Sequence, residues 1–264
     1  EESSVSTSTS GRSVATIERA AEVLFLLATK QGTIGVTEIS KELEISKAVI
    51  HRIVTSLCEH DLVSADLVTR RYSLGPGVLR LSAAYLDNLD VHSMALDAMH
   101  RLSATTNETA TLSVRNGNKR VFVDQVTPSR EIKMTVQLAA AFPLHAGASS
   151  KAFLAWLSPE DIDDYLAGSA LEALTDATIV SEPELRTELK RIREQGFAVS
   201  LGELHTGACS VAAPVLDQQH RPVAVISVCG PIERFGHEVA SSAETLTEAT
   251  RELSTRLGAR SDAS

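Results

Sequence analysis

The sequence predicts an α+β chain with an N-terminal winged helix-turn-helix, a helical linker and a C-terminal α+β domain on an antiparallel sheet. Three observations predict it. Between Thr37 and Leu57, apolar residues recur at Ile39, Leu43, Ile45, Val49, Ile50, Ile53, Val54 and Leu57, the spacing of two short amphipathic helices on a shared core. Directly after them, Leu62 to Ala65 and Arg71 to Leu74 flank a turn and read as a two-stranded ribbon. Beyond residue 107 the apolar period changes to two, and helical stretches return between strands as far as Leu257.

In chain order, Glu1 to Gly11 is Ser/Thr-rich with nothing to bury, so residues 1–12 are expected to be a disordered arm. Residues 13–75 form the first domain. Ser13 or Thr16 caps a helix from Ile17 to about Lys30, with Ala20, Val23, Leu24 and Leu27 on one face and Gly32 ending it. The break between the next two helices rests on Glu44-Ile45-Ser46, with Ile45 plugging the space and Ser46 as N-cap. The second of these helices is placed to read DNA. Ser46, Lys47, Ala48, His51 and Arg52 lie early on its outer face, toward a major groove and its flanking phosphates. Asp66 to Arg70 turns the ribbon, and adjacent Arg70 and Arg71 at its end are candidate phosphate or minor-groove contacts. A merely solvated helical face is the alternative.

Gly75-Pro76-Gly77 closes the ribbon, and residues 76–90 return to helical spacing through Leu79, Leu81, Ala84 and Leu86 as a linker. A helix from about Val91 to Thr105 carries Met94, Leu96, Met99 and Leu102. Apolar residues on more than one face of these helices favour burial against a second copy, a homodimer, although packing on the chain's own body would look the same. Residues 91–260 form the second domain. Thr109 to Arg115, Lys119 to Val126 and Glu131 to Val136 alternate as strands, the first two joined by Asn116-Gly117-Asn118. Leu138 to Lys151 is rich in small residues, which leave space for a ligand, and runs into a helix ending at Phe153, Leu154 and Trp156. Helices follow at Pro159 to Leu166 and Pro183 to Gln195, the latter opened by Ser181 and Glu184 in capping-box spacing. Ala198 to Leu201 is a strand, Cys209 to Leu216 and Pro222 to Cys229 form a hairpin, and Glu238 to Leu257 is a closing helix.

At 264 residues the chain has room for two domains, and 43% hydrophobic against 22% charged residues supports packed cores. The formal charge of −9 is uneven, with residues 11–80 at +1 and residues 81–264 at −8. Such a chain suits DNA binding through one local face, without a general field for loose binding. Cys58, Cys209 and Cys229 are too few and scattered for a disulfide framework or zinc cluster, which fits a reducing compartment. No apolar run reaches the roughly 18 residues needed to cross a bilayer, and the N-terminus lacks the apolar core of a signal peptide. A cytoplasmic protein with no membrane partner is expected.

The order and spacing of six stretches resemble the IclR family of bacterial transcriptional regulators, from about Thr16 to Gly258. They are TIERAAEVLFLLA, SKAVIHRIVTSL, RRYSLGPGVLRL, PLHAGASSKAFLAWL, TIVSEPELRTELKRIREQGFAVSLGE and AAPVLDQQHRPVAVISVCGPIERF. The resemblance implies a winged helix-turn-helix on double-stranded DNA at a pseudo-palindromic operator, a dimerising linker, and a GAF-like C-terminal domain binding a small organic effector. That effector is commonly a carboxylate or aromatic acid, dimers often pair into tetramers, and repression is the favoured sign. No cofactor, metal or catalysis is implied. The alignment carries effector contacts to Ala148, Ser149, Ser200, Ser210, Ser227 and Cys229, with Met134 and Leu144 on the apolar side. They suit a carboxylate, which needs backbone N–H and hydroxyl donors, and Gly147 to Ser150 leading into a helix supply both. Three departures from the family pattern stand out. Ala48-Val49 replaces the usual hydroxyl pair, Ser150 replaces a Gly, and Ser200 stands where some members place an acidic residue.

Other readings use the same residues. A hydrolase would need Ser149 or Ser150 with Lys151, or Cys209 with His205, but the chain lacks both a G-x-S-x-G elbow and an S-x-x-K motif. A redox sensor would use Cys209 and Cys229, and a metal sensor His145, His205 and Cys209. A pure protein-interaction module would give the hairpin arginines no reason to sit beside the reading helix.

Overall fold

The computed structural model describes residues 8–30, 32–87 and 90–259. The chain divides into two compact units, Glu1–Asn88 and Leu89–Ser264.

The first unit comprises α1 (Ser8–Thr29), β1 (Ile34–Gly35), α2 (Val36–Glu42), α3 (Lys47–Glu59), β2 (Val63–Ala65), β3 (Arg71–Leu74) and α4 (Gly77–Asp87). Val23 and Leu27 of α1 meet Ile39 of α2, Ile50, Ile53, Val54 and Leu57 of α3, and Ile45 between the helices. These residues, with Ile34 and Val63, form one apolar core that fixes α3 against its neighbours. Glu44 adopts a φ of 55° and so turns the chain without a glycine. The Ser40 hydroxyl donates to the Ile45 carbonyl at 2.6 Å and braces that turn. β1, β3 and β2 form an antiparallel sheet in that order, β2 and β3 being the two strands of the ribbon.

The second unit comprises α5 (Asp90–Thr106), β4 (Thr109–Asn116), β5 (Lys119–Val126), β6 (Ala141–Pro143), α6 (Ala148–Ala155), α7 (Pro159–Gly168) and α8 (Glu182–Gln195). β7 (Ala198–Leu201), β8 (Ala208–Leu216), β9 (Pro222–Pro231), α9 (Ile232–Phe235) and α10 (Val239–Arg256) complete it. Its strands form one antiparallel six-stranded sheet in the order β6-β5-β4-β9-β8-β7. Because side chains alternate along strands, the sheet presents two faces. On one, Leu112, Val211, Ala213, Val215, Ile226 and Val228 pack against Met99 and Leu102 of α5 and Leu246 and Leu253 of α10. On the other, Ala198, Ala212 and Val225 pack against Phe153 of α6 and Leu185, Leu189 and Ile192 of α8.

Three local expectations change. α1 runs through both Ser13 and Thr16 instead of starting there. A hydroxyl residue inside a helix costs well under about 1 kcal/mol, so a possible cap need not be used. Residues 1–7 of the expected arm lie outside the described residues. Glu131 to Val136 is not a strand. The Gln125 side chain donates to the Val136 carbonyl at 3.0 Å and accepts from its N–H at 2.9 Å, taking the place of a ladder. The strand beside β5 is instead the short β6. Finally, Ser181 occupies the N-cap of α8 without a side-chain capping bond, and Pro183 near the helix start lowers the need for one.

Candidate functional site

On the first unit, α3 buries Ile50, Ile53, Val54 and Leu57 and leaves Ser46, Lys47, Ala48, His51 and Arg52 exposed. The Ser46 hydroxyl stands at the N-cap without capping a backbone N–H. In the ribbon, the Asp66 carboxylate accepts from the N–H groups of Val68 and Thr69, both at 2.8 Å. Those backbone bonds hold its carboxyl below the usual range. Arg70 closes the turn at a φ of 53° and is exposed, forming no ion pair with a described residue. Arg71 behaves differently. Its guanidinium donates to the Thr33 carbonyl at 2.7 Å and pairs with Glu38 at 2.9 Å. Its register partner is Gly35, which has no side chain, so the guanidinium lies back across β1 toward α2. The sequence suggests two free arginines, and the register leaves one.

On the second unit, the register prepares a cavity. Ser200 pairs with Ser210, Ser210 with Cys229 and Cys229 with Thr109, so one row of small polar residues crosses four strands. Ser227, on the same face, shares a hydrogen bond of 2.6 Å with Thr111. Where larger side chains would fill the space, a cavity of about 190 Å³ remains. α6 begins over it at Gly147, whose φ of 86° and ψ of 155° fall in a region open essentially to glycine alone. The N–H groups of Ala148 and Ser149 open that helix with no hydrogen bond to a described residue. The Gly147 N–H is already committed to Glu203 at 3.1 Å. Glu203 also accepts from Lys151 at 2.5 Å, and Lys151 reaches Glu188 at 3.0 Å and the Val199 carbonyl at 2.9 Å. Fully buried Lys151 is therefore a brace that holds the loop.

Met134, Ala148, Ser149, Ser200, Ser210, Ser227 and Cys229 all line this cavity. Leu144 does not: it is buried in the core with Phe153 and Tyr165, its N–H bound to the Tyr165 hydroxyl at 2.9 Å. The lining adds a residue that the sequence reading missed, Arg120, which is 1% exposed. Its Nε donates to the Ser150 hydroxyl at 2.9 Å, and Nη1 to the Ser113 hydroxyl at 3.3 Å. The guanidinium carbon lies 3.9 Å from the centre of the Phe122 ring and 4.8 Å from that of Phe142. Among the described residues Arg120 forms no ion pair and the cavity lining contains no carboxylate. Burial lowers its guanidinium to about 9, which leaves it charged at neutral pH. Isolating a charge in this way costs several kcal/mol, so a lone buried cation calls for a ligand explanation. The signal was available in the sequence, since Arg120 shares the inward parity of Phe122 on an alternating strand.

The cysteines do not assemble. Cys229 faces the cavity, whereas Cys209 lies on the opposite face of the sheet among the α5 and α10 contacts. Burial pushes the Cys209 thiol up to about 11, and burial with nearby Glu108 pushes Cys229 up to about 12. His145 is buried with its ring nitrogens against the Tyr165 hydroxyl at 3.1 Å and the Glu172 carbonyl at 3.0 Å. Among the described residues no three His, Cys, Asp or Glu side chains are grouped to hold a metal. No helix among them is long and apolar enough to cross a membrane.

Comparison with known proteins matches both units. The family model described as "IclR helix-turn-helix domain" matches residues 16–67, and "Bacterial transcriptional regulator IclR C-terminal" matches residues 83–255. The HTH-type transcriptional repressor AllR of Salmonella typhi is 32% identical over 243 residues, covering 92% of this chain and 89% of AllR. The crystal structure of an IclR transcriptional regulator from Alicyclobacillus acidocaldarius has a TM-score of 0.81 at 32% identity, covering 92% of this chain and 99% of that one. An IclR homolog from Microbacterium hydrocarbonoxydans, complexed with 4-hydroxybenzoate, shares the fold with a TM-score of 0.81 at 21% identity, covering 92% and 98% of the two chains. The chain is thus a DNA-binding regulator with an effector-binding C-terminal domain, not an enzyme, and it belongs to the IclR family of bacterial transcriptional regulators.

Proposed function

We propose that this regulator is a cytoplasmic repressor that binds a pseudo-palindromic operator as a homodimer, or as a pair of dimers, and responds to a small organic acid. Ser46, Lys47, Ala48, His51 and Arg52 meet the major groove and its flanking phosphates, and Arg70 contacts phosphate or the minor groove. Arg71 holds the ribbon in place. The effector occupies the cavity lined by Met134, Ala148, Ser149, Ser200, Ser210, Ser227 and Cys229. The observation that carries this reading is the cavity itself: unsatisfied N–H groups, hydroxyls and a cation face it, with no carboxylate in its lining. Repression is supported by the AllR relatives, which are named repressors, and an acid effector by the 4-hydroxybenzoate held by a protein of the same fold.

Selection of genomic fragments by the purified protein at about 0.15 M salt tests the reading, because non-specific electrostatic binding is weak there. Enrichment of palindrome-bearing intergenic fragments is expected, followed by their release on titration with small carboxylic acids. If no fragment is enriched with or without a panel of such acids, the proposal fails.

A further inference from the structure

We infer that Arg120 is the anchor for the acid group of the effector, with Ser150 and Ser113 as its positioning residues. The inference rests on the effector reading above and adds the group that fixes the ligand's charge. Arg120 is 1% exposed, lines the cavity and has no anionic partner among the described residues. Ser150 and Ser113 take one bond each from Nε and Nη1, and none of the described residues accepts from Nη2. Phe122 and Phe142 pack against the guanidinium and orient it. Ser150 also belongs to the first turn of α6, so the helix that carries the open N–H groups of Ala148 and Ser149 is tied directly to the cation. Guanidinium and helix start thus offer one site for a carboxylate.

This arrangement defines a ligand class. Among the described residues the lining carries buried Arg120, the exposed His205 and no carboxylate, so the one buried cation matches one buried acid group. A second acid group held away from His205 would be buried without a cation of its own. Ser200, Ser210 and Ser227 offer hydroxyls to a polar substituent, while Met134, Val136 and Leu204 provide apolar walls. At about 190 Å³ the space lies below the roughly 300–1,000 Å³ of ordinary ligand pockets, so the acid is small. A compact monocarboxylate bearing a hydroxyl or keto group fits best.

The test uses the full chain and two readouts, thermal unfolding and operator binding. Formate, acetate, pyruvate and lactate are compared with sodium chloride at matched ionic strength and with the corresponding neutral amides. At least one acid should raise the melting temperature above chloride while its amide does not. Arg120→Met, which keeps much of the packing volume, should lower affinity for that acid about tenfold to a hundredfold. Ser150→Ala should lower it less. Equal shifts from acids, amides and chloride in the natural protein would overturn the inference, as would undiminished acid binding by a folded Arg120→Met. If Arg120→Met unfolds, Arg120→Lys is decisive: it retains charge but not the fork, and should bind the acid more weakly than the natural protein. Undiminished binding by Arg120→Lys would equally overturn the assignment. Operator binding separates the two ideas. Acid bound through Arg120 with no change in operator affinity would refute the effector reading alone. Operator release that persists in Arg120→Met would refute the anchor alone.

Discussion

Two neighbouring arginines separate structure from recognition. Arg70 is exposed and forms no ion pair with a described residue, while Arg71 joins Thr33 and Glu38 to β3. Arg70→Ala should therefore weaken operator binding across sequences and lower the salt slope by about one unit, leaving the melting temperature unchanged. Arg71→Ala should act on stability instead, and only modestly, since its pair with Glu38 is half-exposed and screened. Salt-dependent titrations beside thermal melts check both, and equal losses of DNA affinity at unchanged stability would contradict the division. The thiols give a second prediction at this scale. With Cys229 pushed up to about 12, only about one thiol in 10⁵ is a thiolate at pH 7. Iodoacetamide should label Cys209 and Cys229 only after unfolding, and peroxide should leave operator affinity unchanged. A rapid loss of DNA binding on oxidation of the native protein would restore a redox role.

Among the elements, the brace under α6 couples packing to the site. Lys151 is 1% exposed and lies against two carboxylates, so Lys151→Met leaves Glu203 buried without its bonded cation and Glu188 with Arg191 alone. A loss of about 3–5 kcal/mol is expected in denaturant unfolding. Burial opposes ionisation of Glu188, yet Arg191 and Lys151 outweigh it and hold its carboxyl below the usual range. Its contribution to stability is thus fully present above the unfolded value and lost as pH falls through the lower folded value. Glu188→Gln should flatten the acid limb of a melting curve followed from neutral pH down to about pH 3. An unchanged acid limb would mean that another group dominates. The same elements indicate what the sequence could disclose. Strong local period revealed β5, β7, both helix-turn-helix helices and the ribbon, because each buries one face on its own domain. Glu131 to Val136 alternates as well, but the Gln125 side chain takes its backbone bonds and pairing never develops. The serines of the cavity were legible through the family resemblance, whereas Arg120 was signalled only by the strand parity it shares with Phe122. Its meaning depends on Ser150, Phe122 and Phe142, which come together only in the folded sheet.

For the whole molecule, the first unit leaves large apolar side chains exposed on two helices. Ile17 and Phe25 on α1 are 67% and 74% exposed, and Leu79 and Leu81 on α4 are 62% or more exposed, all within one small unit. Single exposed apolar residues are ordinary, but four large ones on two helices of one domain call for a partner. On the proposed dimeric reading that partner is a second copy, since one α3 helix would read only a half-site. The C-terminal part carries most of the −9 charge, which gives no attraction to DNA beyond the local face, so on the same proposal affinity comes from holding two such faces together. Joining two weak sites gives an effective concentration in the millimolar range, typically worth about 10²- to 10⁴-fold. Phe25→Glu combined with Leu79→Glu should therefore yield monomers by sedimentation at concentrations where the natural chain is dimeric. Operator affinity should fall by that factor, while affinity for an isolated half-site changes little because α3 and the ribbon are untouched. Acid-induced stabilisation of the C-terminal domain should also survive, which excludes general misfolding. A double variant that remains dimeric and binds the full operator normally would place the dimer interface elsewhere.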